Sequence, residues 1–285
     1  MSAPEKLSPI DTHIHLWDPT RPEGIDWPNS DYPRINEPLL PSHFLEVAQR
    51  NGLRGAIVVE ASDRLRDNQW LLDLVKPDAD FFLGVVGNLA MGTADFAENL
   101  ETLSQDARYL GIRIRNLPEG EVTEAVVADL NLLAEKDLSL DLLIRNVTLE
   151  QAATIAEKLP DLRIILNHVC GAHHEGKPMS DEWVAGVQRV AQHPNVFCKI
   201  SGLFEHAWEI PAPKDPSHYK PALSVVWDAF GEDRIVFGSN WPVTRHGEGT
   251  YQELRNILDA FFADKEDAVH AKLYWENAIQ FYRLK

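Results

Sequence analysis

The segment SPIDTHIHLWDP, residues 8–19, sets His13 and His15 two positions apart in an apolar run. Side chains two apart on an extended strand point to the same face. Both imidazoles would then aim at one point, as a bidentate metal grip or a catalytic pair requires. The competing explanation is structural, because histidine often sits in cores with its nitrogens satisfied. The pair alone does not decide. Further along, other polar groups fall at the ends of β-rich runs: Glu60, Arg113 with Arg115, Asp141, His168 in LNHVCG, Lys199 with Ser201 in CKISG, and Asn240 with Trp241 in GSNWP. Buried charges are costly unless paired or used, so a set this polar is hard to explain by packing. The alternative for Lys199, Asp141 and the arginines is a structural ion network.

Eight β-rich runs carry these groups, at 10–16, 55–61, 81–89, 109–116, 138–144, 163–169, 196–203 and 234–240. Several are near-continuously apolar, as strands buried on both faces of a parallel sheet are. The intervals read as helices. The segment TLEQAATIAEKLP opens with a capping box from Thr148 to Gln151, stops at Pro160, and carries an apolar stripe through Leu149, Ala152, Ile155, Ala156 and Leu159. Segments 42–51, 65–76, 93–105, 121–136, 180–192, 217–230 and 250–263 read similarly. Strand and helix in eightfold alternation, with no linker, predict one α/β domain over 1–285: a (β/α)8 TIM barrel, with 265–285 as a closing helix packed outside it.

Chemistry in such a barrel sits at the C-terminal ends of the strands and in the loops that follow. That placement moves His13 and His15 toward function. Three long connections point to the same face: 17–41 with Trp17, Trp27 and Tyr32, then CGAHHEGKP, then FEHAWEIPAPKDPSHY with His206. Loops of this length inside a compact domain are usually functional. Their aromatic and histidine content suggests a lid over a polar, ring-shaped ligand, with His173 and His174 expected as exposed loop histidines. Cys198 alternates away from Lys199 and is expected in the core, as is Cys170.

Composition sets the outer bounds. The chain has 285 residues, 44% of them hydrophobic, and a formal net charge of -17. That charge argues against nucleic-acid and anionic-membrane partners, which need basic patches. With two cysteines, no apolar leader in MSAPEKLSPI and no membrane-length apolar run, a soluble cytoplasmic protein is expected. No exposed stripe argues for or against self-association.

The motifs DTHIHLWD, GIRIRN, LNHVCG, CKISGL and FGSNWPV, in this order and up to the ENAIQFYRL tail, resemble the amidohydrolase superfamily. The branch they are most similar to is the amidohydrolase-related (amidohydrolase 2) group of lactonases, which act on sugar-acid and pyrone-dicarboxylate lactones. The resemblance implies His-x-His on strand one, a further histidine on strand five or six, and an aspartate on strand eight. His13, His15 and His168 match and would hold one divalent ion, zinc foremost, although some lactonases of this branch are thought to work without metal. No histidine falls on strand five, which disfavours a two-metal site. Asn240 stands where the aspartate is expected, either natural to this chain or an engineered inactivation. An amide is no base at neutral pH, which leaves His168, Glu60 and His206, in that order, as candidate bases.

What the resemblance implies for activity is carboxylic-ester hydrolysis, the opening of a lactone ring of a sugar acid or related acid. His13, His15 and His168 would position the water, Lys199 or the metal would stabilise the oxyanion, and Asn240 would orient water or the ring oxygen. Arg113 or Arg115 would grip a carboxylate or hydroxyl, with Trp17, Glu60, His206 and Trp241 completing the substrate wall. Two rivals follow from Asn240. One is a lactone isomerase, which needs no attacking water; the other is an inactive barrel that binds a sugar acid.

Overall fold

The computed structural model describes residues 8–284. Eight strands form one parallel sheet in sequence order: β1 Ile10–Ile14, β2 Gly55–Val59, β3 Phe82–Gly87, β4 Tyr109–Ile114, β5 Ser139–Leu142, β6 Arg163–Leu166, β7 Val196–Ile200 and β8 Ile235–Phe237. The chain beyond β8 returns to β1 through a parallel bridge between Ile14 and Trp241. His15 N donates to Trp241 O and Asn240 N to His13 O, each at 2.8 Å. Helices Pro41–Asn51, Leu65–Val75, Phe96–Leu103, Glu124–Glu135, Leu149–Lys158, Asp181–Val190, Lys220–Phe230 and Tyr251–Phe261 follow the strands in turn. The fold is a (β/α)8 barrel.

Local chemistry accounts for the helix starts. Gln151 N donates to Thr148 Oγ1 at 3.1 Å and Thr148 N to Gln151 Oε1 at 2.9 Å, the reciprocal cap expected there. Each strand ends at least two residues earlier than its apolar run suggests. Past those points the chain carries His15, Glu60, Arg115, His168 and Asn240, five of the polar groups of the barrel mouth.

A β-bulge sets which side chains see the barrel interior. Asp11 pairs with Ala56 and Ile14 with Val58, so β1 spends three steps where β2 spends two. An extra residue reverses the parity of everything after it. Ile10 lies with the interior residues Ile57, Val59, Val86, Ile165 and Val236, whereas Ile14 packs into the outer core against the helices. Asp11 likewise turns outward, where Tyr251 donates to it from the last barrel helix at 3.1 Å. His13 and His15 are thereby turned inward.

The tail differs from the expected helix outside the barrel. It is helical over Asp267–Ala271, π-helical over Lys272–Glu276 and helical again over Asn277–Tyr282. This path carries Phe281 and Tyr282 to the N-terminal mouth of the barrel, where they join the interior cluster. Tyr282 Oη donates to Asp141 at 3.0 Å, inside the barrel. Asp141 also accepts from Asn167 Nδ2 at 3.1 Å and pairs with Lys199 at 2.6 Å, both charged groups being fully buried.

Removing one member of a buried ion pair costs about 3–5 kcal/mol, whereas replacing both by apolar groups is often neutral. Asp141→Ala is therefore expected to lower stability by about that amount. Asp141→Leu combined with Lys199→Met is expected to cost less than Asp141→Ala, with urea denaturation as the measurement. A double variant as unstable as the single one would refute the account.

Candidate active site

Four side chains form the floor at the C-terminal mouth. His13 Nε2 lies 3.2 Å from His15 Nε2, and the His13 and His168 rings are 4.6 Å apart between centroids. Asn240 Oδ1 is 2.9 Å from His15 Nε2. His168 Nδ1 is 3.0 Å from Ser201 Oγ, and His15 Nδ1 is 2.8 Å from the Val59 carbonyl. Burial holds all three imidazoles well below the ordinary histidine range, reinforced by Lys199 at His13, Arg113 at His15 and His206 at His168. The neutral form is favoured at all three.

Unusual backbone holds this floor in place. His168, Val169, Cys170 and Gly171 have φ of 54°, 50°, 54° and 70°, one turn of left-handed helix directly after β6. Left-handed helix costs roughly 1–2 kcal/mol per non-glycine residue, and a β-branched residue there is an outlier. Such strain persists where surrounding structure over-determines it, and it clusters at functional sites. Gly202, at φ 72°, supplies the space: a Cβ there would lie 2.7 Å from the His168 ring. Asn240 is itself at φ 58°, a conformation that Asn and Asp tolerate best among side-chain-bearing residues.

Above the floor opens a cavity of about 440 Å³, walled by His15, His168 and Asn240 below and by Arg113, Arg115 and Arg145 on the chain after β4 and β5. His206 and Glu205 come from the loop after β7, and Trp27 and Tyr32 from the long loop after β1. Arg113 and Arg115 share one carboxylate, Glu60, at 2.7 and 2.5 Å. Both Glu60 oxygens are therefore engaged, and Glu60 is removed from the candidate bases. Arg145 is exposed and has no hydrogen bond or ion pair among the described residues. It is the guanidinium most available to a ligand.

Several expected contacts lie elsewhere. Lys199 is not on the cavity wall: Nζ is committed to Asp141, to Thr12 O at 2.8 Å and to His13 Nδ1 at 3.4 Å, so no oxyanion role is carried forward. Trp17 is buried with Nε1 donating to Ile35 O and Glu37 O, which pins the long loop. Trp241 is also buried and packs on Phe44 at 5.1 Å between ring centroids. His174, expected in an exposed loop, is 2% exposed with both ring nitrogens unpartnered, and burial pushes it down to about 3. His173 is exposed as expected, yet it borders the cavity and stacks on His206 at 5.9 Å. Cys198 and Cys170 are buried thiols with sulfurs 3.5 Å apart. Glu205 and Arg145 were not anticipated, because neither stands in a strand-end motif.

The site can be tested against a divalent cation. Among the described residues no group of three His, Cys, Asp or Glu side chains is arranged to hold a metal ion, so a cage of His13, His15 and His168 is not preformed. The first two are better placed. Zinc–nitrogen distances of about 2.0–2.1 Å put two ligands of a tetrahedral ion about 3.3 Å apart. The observed Nε2–Nε2 separation is 3.2 Å. The Val59 carbonyl keeps a proton on His15 Nδ1, which leaves a lone pair on the Nε2 that faces His13 Nε2 and Asn240 Oδ1. This pair fits a divalent ion.

Known proteins resemble this chain over nearly its whole length. A Burkholderia ambifaria protein named L-fucono-1,5-lactonase is 29% identical over 290 residues, covering 96% of this chain and 95% of the relative. A Burkholderia multivorans protein of the same name is 25% identical over 286 residues, covering 93% and 92%. The crystal structure of a zinc-bound amidohydrolase from Burkholderia multivorans superposes with a TM-score of 0.86 at 23% identity, covering 98% of this chain and all of that one. The family model described as amidohydrolase matches residues 10–284, and the chain belongs to the amidohydrolase family.

Proposed function

We propose that this chain hydrolyses the lactone ring of a sugar acid or a related carboxylic acid. The observation that carries the assignment is the floor of imidazoles and one amide, His13, His15, His168 and Asn240, the last three of which border a cavity with a cationic wall. Neutral imidazoles accept hydrogen bonds from a water and orient its lone pair. Arg145, with Arg113 and Arg115 behind it, favours a ligand rich in carboxylate or hydroxyl oxygens. Lactones demand less of such a site than amides, since an alkoxide departs more readily than an amide anion. The relatives named L-fucono-1,5-lactonase support the same substrate class.

His13 and His15 would hold the divalent ion, with His168 beside them, and when bound it would supply Lewis-acid polarisation of the ring carbonyl. His206 and the exposed His173 border the space a substrate ring would fill, and Trp27 and Tyr32 would cover it from the long loop. No helix among the described residues is long and apolar enough to cross a membrane. The free thiols of Cys170 and Cys198 suit a reducing compartment, and we assign the chain to the cytoplasm on that ground.

A pH-indicator screen of five- and six-membered aldonolactones, with and without chelator, tests the assignment. Acid release from at least one lactone is expected, with activity lost to chelator and regained on adding zinc. A rearranged lactone with no acid released would replace hydrolysis by an intramolecular acyl shift. His168→Ala is expected to lower turnover by about 100-fold or more. His173→Ala should stay within about threefold of the parent. Equal losses would remove His168 from the reaction.

A further inference from the structure

An amide at strand eight leaves hydrolysis without the carboxylate that would take a proton from water, since asparagine accepts none at neutral pH. The structure brings another carboxylate to the same point. Asn240 Nδ2 donates to Glu205 Oε1. The second oxygen, Glu205 Oε2, is buried without any hydrogen-bond partner. Leaving a buried acceptor unpaired is costly, so the position is one that a water or substrate proton would satisfy.

The other buried acids nearby are already engaged. Glu60 is held by two arginines, Asp141 by Lys199, Asn167 and Tyr282, and Asp11 by the backbone of His13 and Ser239 and by Tyr251. Among the described residues bordering the cavity, Glu205 is the one acidic side chain. Its loop is also firmly seated. Phe204 is fully buried, and a Cβ on Gly249 would fall 1.9 Å from its ring, so the two segments are in close contact where glycine alone fits.

Building on lactone hydrolysis, we propose that Glu205 is the general base of the reaction, with Asn240 as the residue that positions it. Oε2 takes one proton from the attacking water as the water oxygen bonds to the lactone carbonyl carbon and the carbonyl π pair moves onto its oxygen. When the adduct collapses, the C=O bond re-forms, the ring C–O bond breaks, and the proton on Glu205 passes to the departing ring oxygen. The product is the open hydroxy acid, whose carboxyl proton goes to solvent, and Glu205 is again a carboxylate. Burial pushes the Glu205 carboxyl up to about 7, close to where a general base works best at neutral pH.

The test measures kcat and KM on the lactone that the unmodified protein opens fastest, for Glu205→Gln, Glu205→Ala and Glu205→Gln combined with Asn240→Asp. Thermal melting of each variant identifies any loss due to unfolding. Glu205→Gln is expected to lose about 100- to 10,000-fold in kcat with KM within about threefold. Added formate is expected to restore part of the activity of Glu205→Ala by supplying a carboxylate. The double variant, in which the φ of position 240 suits aspartate, is expected to regain at least about tenfold over Glu205→Gln. A kcat for Glu205→Gln above about a tenth of the parent value overturns the proposal and leaves lactone hydrolysis standing. So does a kcat loss that neither formate nor Asn240→Asp recovers. An unmodified protein that opens no lactone overturns both.

Discussion

Beneath the histidines an ammonium and a carboxylate, both wholly withdrawn from water, meet at 2.6 Å. Taking each ion out of water costs several kcal/mol, offset only when geometry is good and the remaining hydrogen bonds are made. Here they are made: Lys199 also donates to Thr12 O, and Asp141 accepts from Asn167 and Tyr282. The pair spans β7 and β5, and through Thr12 it reaches β1. It fixes the strand that carries His13 and His15, and its positive end helps keep His13 neutral. Burial lowers the Lys199 pKa and Asp141 opposes that shift, so the lysine needs its partner to remain an ion.

The same physical rule orders the layers above. Charge in a region of low dielectric is either matched or absent. The floor is built from neutral imidazoles and an amide. Glu60 meets two guanidiniums at once, leaving that part of the wall with a surplus of positive charge, and Arg145 adds to it without a partner. An anionic or oxygen-rich ligand completes this balance. Glu205 is the exception in sign, a carboxyl whose environment pushes it toward the neutral form unless something donates to it.

How much of this could be read in the chain follows from the range of the forces involved. Apolar periodicity and caps are local, so the strand–helix alternation, the Thr148 capping box and the placement of His13 and His15 on one face of their strand are legible. The bulge in β1 is not, because the extra residue at that point is set by pairing with β2 rather than by any turn signal. Lys199 and Asp141 both read as interior polar groups, but only the closed barrel brings them together and away from the cavity. Trp17 and Trp241 stand at strand ends and read as substrate contacts; their actual partners, Ile35, Glu37 and Phe44, come from distant segments. Glu205 sits in a loop beside the more conspicuous His206, and its meaning depends on Asn240, thirty-five positions away.

The placement of Tyr282 gives the fold a history in time. A chain leaving the ribosome has His13 and His15 in hand almost at once, and Asp141 and Lys199 by the close of β7. Yet Asp141 gains its phenol donor, and the lower mouth its plug of Phe281 and Tyr282, only after β8 and the helical segments from Tyr251 to Tyr282 have emerged. Phe281 and Tyr282 thus close the barrel beneath the ion pair with residues from the far end of the chain. The full dryness of a pair held between β5 and β7 therefore rests on the last helix described.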